Sequence, residues 1–150
     1  VEGVRQDQLG DERTGQQWLT ARGGVGTARE LARVRRVRAV LQGIVRGTES
    51  PIALRPFIGS ISYRPTATDE GLDWALDVPD DHRLAAKALL AWDHLRTTAP
   101  GRLRPCANDE CELYLIDRSK ANTGRWCSMA VCGNRMKVRR HYQRRRLASS

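Results

Sequence analysis

Apolar residues along this chain keep a helical period in two stretches, alternate between them, and then lose any period. From Thr27 onward Leu31, Val34, Val37, Val40, Leu41, Ile44 and Val45 recur on one helical face. Thr27 is the expected N-cap, Glu30 its capping-box partner three residues on, and Gly47 the stop. Arg29, Arg33, Arg36 and Arg46 fill the outer face. Asp11 to Leu19 predicts a shorter helix before it, with Trp18 and Leu19 inward, broken by Gly23-Gly24-x-Gly26. No Lys-Ser/Thr follows these glycines and no strand precedes them, so they predict a turn rather than a phosphate loop. Between Pro51 and Pro79 the period falls to two. Ile58 to Tyr63 and Leu72 to Val78 predict the arms of a β-hairpin, turned by Pro65 to Gly71, with Trp74, Leu76 and Val78 on one face. Asp80 is expected to cap a further helix with Leu84, Ala88, Ala91, Trp92 and Leu95 inward, and Pro100-Gly101 to end it as a linker.

Past the linker the informative residues are cysteines. All four lie in two pairs, Cys106-x4-Cys111 and Cys127-x4-Cys132, with fifteen residues between the pairs. Each pair suits one knuckle whose sulfurs converge, and four thiolates at about 2.3 Å around Zn²⁺ make a closed structural site. One zinc per chain is expected, on Cys106, Cys111, Cys127 and Cys132. Two disulfides, or four unrelated thiols, are the alternatives. Val1 to Gln17 has no signal-peptide core and no apolar run is long enough to span a bilayer, which predicts a cytoplasmic protein without a membrane partner. A reducing compartment favours thiolates on metal. Leu113 to Asp117 predicts a strand with Arg125-Trp126 as its return partner across the Ser119 to Gly124 turn. Ser128 is the expected N-cap of a helix that turns Met129, Cys132 and Met136 toward the metal. Knuckle, hairpin and a second knuckle opening a helix are similar to a treble-clef finger.

Charge sharpens the division. From Arg102 onward 12 Lys or Arg stand against 4 Asp or Glu, a net of +8, whereas the first 101 residues hold 14 against 13, a net of +1. Zinc on four thiolates brings the basic part to about +6, which still calls for a polyanionic partner. Beyond Met136 the apolar face disappears and arginines point to nearly every side. A basic helix on duplex DNA is expected, with Lys137, Arg139, Arg140, Arg144, Arg145 and Arg146 neutralising phosphates. Asn134 and Arg135 are the residue types that read adenine and guanine, though their place beside Cys132 suits support of the metal knuckle equally well.

The run Cys106-x4-Cys111, then Trp126-Cys127-Ser128-Met129-x-x-Cys132-Gly133-Asn134-Arg135-x-Lys137, resembles the CGNR zinc finger over about residues 102–146. In that family the finger usually follows a helical domain called ABATE, proposed to sense a stress or ligand signal for a bacterial transcription regulator. The resemblance implies two domains. Residues 1–99 would be an ABATE-like sensing or oligomerising domain that takes a small-molecule effector. Residues 102–150 would be a DNA-binding finger, with a homodimer giving two such helices. The fold class expected is α+β: a mainly helical domain with a hairpin, then a treble-clef-like zinc finger ending in a basic helix. The alternative reading is a zinc-stabilised RNA- or protein-binding adaptor without a preferred duplex site. An enzyme is not expected, because a four-cysteine site leaves no open metal position. His82 and His94 stand twelve residues apart without ligand neighbours, and Trp18, Trp74 and Trp92 read as core before they read as a pocket lining.

Overall fold

The structure is a computed structural model that describes residues 7–148, without the side chains of Arg146 and Ala148. The architecture is α+β, with five helices and two small antiparallel hairpins among the described residues. In chain order these are α1 (Glu12–Thr20), α2 (Ala28–Arg46), a 3-10 turn Pro51–Leu54 running into α3 (Arg55–Ile58), β1 (Ser62–Thr68), β2 (Gly71–Asp77), and a 3-10 turn Asp80–His82 running into α4 (Arg83–Thr98). Then come β3 (Leu103–Pro105), β4 (Tyr114–Ile116), a π turn Met129–Gly133 and α5 (Asn134–Ala148). The chain divides into two compact units, Val1–Asp93 and His94–Ser150, and the division falls inside α4.

The first unit is built on the periodic helices. Asp11 caps α1, its carboxylate accepting from the Thr14 N–H at 2.8 Å, and Leu19 is fully buried. Trp18 is partly buried beneath the Arg22 guanidinium, 3.9 Å from its ring centre. Gly15 lets α1 meet α2, since a Cβ there would come within 2.7 Å of Leu31 Cδ1. Leu31, Val34 and Val37 are buried as the period predicts, while Val40, Leu41 and Ile44 only flank the core. Thr27 does cap α2, accepting from the Glu30 N–H at 3.1 Å. The Glu30 carboxylate reaches one residue further back than a capping box would place it, to the Gly26 N–H at 2.8 Å. That reach follows from the left-handed Gly26 (φ 75°), which turns its N–H toward the helix start. Leu9, Leu54, Phe57, Ala85 and Leu89 complete the core.

Several expectations need correction here. The hairpin forms, but β1 runs straight through Pro65, and the turn is Asp69-Glu70 between paired Thr68 and Gly71. A two-stranded ribbon has two open edges, and an edge position tolerates the missing N–H of proline. Ile58, expected to start the first arm, ends α3 instead, and β1 begins only at Ser62. The apolar face of the hairpin does not join the core: Trp74 is 60 % exposed, Leu72 61 % and Tyr63 49 %. Only its base is anchored, by buried Val78 and half-buried Ile61. Trp74 is therefore not core. On α4 Leu84 and Trp92 pack against the core as expected, but the buried residues are Ala85, Ala86 and Leu89, and Ala88 and Ala91 are exposed. A helix this rich in alanine and leucine offers two apolar stripes, and packing chose the one holding Leu89. Asp80 does not cap α4; its carboxylate pairs with the Arg83 side chain at 2.9 Å.

Leu31 is 1 % exposed at the contact of α1 and α2. Leu31→Ala is expected to destabilise the first unit by about 2–5 kcal/mol, read as a lowered denaturant midpoint at unchanged m-value.

Candidate metal centre

The second unit has almost nothing apolar inside it. Its buried residues among those described are Cys106, Asn108, Asp117, Cys132 and Gly133, none of them aliphatic. Whatever holds this unit together must act through these groups.

Two local devices bring the cysteines together. The first knuckle sits inside the hairpin of β3 and β4, with Leu103 opposite Ile116, Arg104 opposite Leu115 and Pro105 opposite Tyr114. This corrects the expected pairing of the Leu113–Asp117 strand with Arg125-Trp126, which contributes one backbone bond, Ala107 N–H to the Arg125 carbonyl at 2.8 Å. Three-residue strands carry no readable period, so Leu103–Pro105 gave no signal. The second knuckle opens a helix, as expected. Ser128 caps it, accepting from the Val131 N–H at 3.3 Å. Its first turn is a π turn closed by the Gly133 N–H on the Ser128 carbonyl at 3.0 Å, and regular α5 begins after it. Gly133 is needed for space: a Cβ there would meet Met129 Sδ at 2.9 Å and Trp126 Cδ1 at 3.2 Å. The wider turn also leaves Met129 55 % exposed instead of facing the metal site, while Met136 is half-buried.

The four sulfurs lie within 4.8 Å of one another. Cys111 and Cys127 are 3.7 Å apart, and Cys127 and Cys132 are 3.6 Å apart. A tetrahedron with metal–sulfur bonds of about 2.3 Å has edges of about 3.8 Å, so the spacing fits zinc. It does not fit a disulfide, whose sulfurs sit about 2.05 Å apart, and all four cysteines are free thiols. The residues present thus form one four-thiolate zinc site without an open position.

Electrostatics agree with that use. Burial raises the Cys106 thiol, but backbone N–H groups of Cys127 and Asn108 aimed at its sulfur bring it down to about 7. Cys127 is pushed up to about 12, first by burial and then by the thiols of Cys132, Cys111 and Cys106 around it. Four thiols this close resist joint ionisation, and a divalent cation reverses the balance.

A second hub fixes the turn between the knuckles. The buried Asp117 carboxylate accepts from the Ser119 N–H at 2.9 Å, the Gly124 N–H at 2.6 Å and Arg104 at 2.8 Å. Hydrogen bonds from Ser119, then from Gly124, with the Arg104 charge, hold its carboxyl down to about 2. Gly124 permits the approach, since a Cβ would lie 2.9 Å from the carboxyl carbon. Arg104 also reaches the backbone and side chain of Asn122, and Arg102 donates to the carbonyls of Asp117 and Ser119 at 2.9 and 2.7 Å.

The expected nucleic-acid residues lie on α5 and are exposed: Asn134, Arg135, Lys137, Arg139, Arg140, Arg144 and Arg145. The Arg146 side chain lies outside the described residues. Asn134 donates to the Ala130 carbonyl of its own helix at 3.2 Å, and Arg139 pairs with Glu110 of the first knuckle at 2.8 Å. The buried polar side chain at the metal site is Asn108, which sequence reasoning passed over. Its signal was an Asn inside the knuckle, where an Asx turn forms readily. In the first unit Ser60 Oγ lies 2.9 Å from His82 Nδ1, a pair that spacing did not join. His82 Nε2 is 3.8 Å from Asp81, too long for a hydrogen bond, and Asp81 pairs with Arg29 at 3.2 Å. These contacts tie the turn before α4 to the segment after α3 and to α2.

Removing the metal should unfold the second unit alone. Zinc supplies about 10–16 kcal/mol to finger peptides, and no apolar core is present to replace it. Cys132→Ser is expected to drop zinc from one per chain to near zero by elemental analysis. Amide signals from about residue 102 onward should collapse, while those of the first unit persist.

Residues 102–145 match the family model of the CGNR zinc finger. No curated protein and no solved structure matches the chain. The segment from residue 102 to residue 145 is a CGNR zinc finger.

Proposed function

We propose that this protein is a DNA-binding transcription regulator in which the zinc finger presents α5 to duplex DNA. The observation that carries the reading is α5 itself. None of its described side chains is buried, and Val138, Tyr142 and Leu147 are 55 %, 63 % and 80 % exposed. The helix is rooted at the buried Cys132-Gly133 and carries basic residues along the rest of its length. At helical spacing Lys137, Arg140 and Arg144 form one basic stripe, and Arg135 with Arg139 lies on another side. A helix in the major groove meets phosphates on both flanks, which suits two stripes. Arg135 lies nearest the rigid knuckle and is the candidate for reading a guanine edge.

Arg139 enters this reading with its guanidinium already on Glu110. Phosphate must compete with that carboxylate, so the pair weakens binding to any duplex. The first unit is assigned the regulatory part, a sensing or dimerising role that rests on the resemblance of the whole arrangement to ABATE-containing regulators. Among the described residues no helix is long and apolar enough to cross a membrane.

Anisotropy titrations at several salt concentrations test the proposal. Arg144→Ala is expected to weaken binding to specific and random duplex alike and to reduce the salt slope by about one unit. Arg135→Ala should cost about 1–3 kcal/mol on the preferred site and far less elsewhere, at unchanged zinc content. Glu110→Gln should tighten binding to all sequences. Zinc-loaded wild type that binds no duplex at low salt would turn the assignment to an RNA- or protein-binding adaptor.

A further inference from the structure

Asn108 is the most buried polar residue of the second unit, at 1 % exposure, and it touches three of the four cysteines. Its backbone N–H is aimed at the Cys106 sulfur. Its backbone carbonyl accepts from the Cys111 N–H at 2.8 Å, which closes the first knuckle. Its side-chain Nδ2 lies 3.7 Å from Cys132 Sγ, on the second knuckle. The remaining side-chain atom, Oδ1, accepts from the Glu110 N–H at 3.4 Å, which fixes which way the amide points. With Oδ1 held inside the knuckle, the amide N–H is directed across the site.

From this geometry we infer that Asn108 is a positioning residue for the metal centre: its side-chain N–H donates to the Cys132 thiolate and clamps the two knuckles together. The inference rests on the zinc site already described. Four thiolates on a divalent cation leave an excess of two negative charges, and the site is too buried for water to absorb all of it. N–H donors take that role. The Cys127 backbone N–H supplies one to Cys106 at 3.5 Å. Asn108 supplies the matching one to the other buried sulfur, Cys132. A turn-forming residue alone would need only Oδ1 and the backbone, and aspartate supplies both. The amide nitrogen is the part that a role limited to turn formation leaves without a purpose.

Aspartate at this position therefore separates the two roles. Asn108→Asp keeps the turn acceptor, loses the N–H, and sets a carboxylate against a thiolate. Zinc affinity, read by competition with a chromophoric chelator, is expected to fall about 10- to 100-fold in both Asn108→Asp and Asn108→Ala. In Co²⁺-loaded protein the sulfur-to-metal charge-transfer band should move to lower energy in both, because the Cys132 thiolate becomes more electron-rich. Aspartate binding zinc as tightly as wild type, with an unmoved band, would reduce Asn108 to a turn former even if alanine were weak.

A measurement on the unmodified chain guards against a variant that fails to fold. In ¹¹³Cd-loaded wild type a scalar coupling should connect the metal to the Asn108 side-chain N–H through Cys132 Sγ. The Cys127 N–H, coupled through Cys106 Sγ, is the internal positive control. Coupling at Cys127 and none at Asn108 would overturn the inference. Failure of the wild type to bind zinc, cobalt or cadmium would instead remove the metal site on which it rests.

Discussion

Convergence of four sulfurs on one point is the constraint the second unit depends on. Cys106 and Cys132 are buried, and the other buried residues, Asn108, Asp117 and Gly133, surround or connect the knuckles. No aliphatic side chain among those described is buried there. Hydrophobic burial, the usual driving force of folding, is therefore limited to half-buried side chains such as Leu103, Tyr114, Leu115 and Trp126. A unit of this size needs a staple, and a thiolate–metal cluster is the one these residues can build. The Asp117 hub does not replace it. It orders the turn from Ser119 to Gly124, so that the two knuckles arrive in the right orientation for the sulfurs to meet.

The first unit rests on a different balance. Leu19, Leu31, Val37 and Leu89 are buried between helices, and Gly15 sets how closely α1 approaches α2. Polar groups finish the edges. Arg35 donates to the Leu9 and Gly10 carbonyls at 2.6 and 2.9 Å, and Arg38 pairs with Asp7 at 2.6 Å, which fastens the segment before α1 onto α2. The hairpin stands outside this core. Tyr63, Pro65, Ala67, Leu72, Trp74 and Leu76 share one face by register, yet Tyr63, Leu72 and Trp74 stay largely exposed.

What could be read in the sequence was local or summed over many residues. Cysteine spacing defined the metal site because each pair closes its own knuckle, whatever the rest of the chain does. The period of α2 and its Thr27 cap were readable because the apolar stripe from Leu31 to Val45 repeats over about four turns. Decisions between near-equal partners were not readable. The inward stripe of α4 is one such case, since alanine marks neither side of a helix. The partner of β4 is another, because Leu103–Pro105 is too short for alternation and ends in a proline. The packing of the hairpin was unreadable for a third reason: alternation identifies an amphipathic strand but not whether anything covers its apolar face. Asn108 was missed because an asparagine in a knuckle reads as a turn residue, and only the fold aims its amide at Cys132.

The direction of α5 suits both of its ends. The π turn leading into it carries Cys132, a ligand of a cluster with excess negative charge, and helix N-termini favour negative charge. The arginines lie toward the C-terminus, where cations are favoured, each such interaction being worth about 0.3–1 kcal/mol at an exposed site. Other terms oppose the helix. Arg135 with Arg139, and Arg140 with Arg144, are like charges four residues apart, and helices of about this length are marginal alone in water. No apolar face past Met136 makes up the difference, so the helix depends on the fixed turn at Cys132. A duplex would relieve the repulsion that solvent only screens, by placing phosphates among the arginines. Order at the metal and charge along the helix are thus parts of one design, in which the thiolates hold one end so that the other can remain crowded with cations.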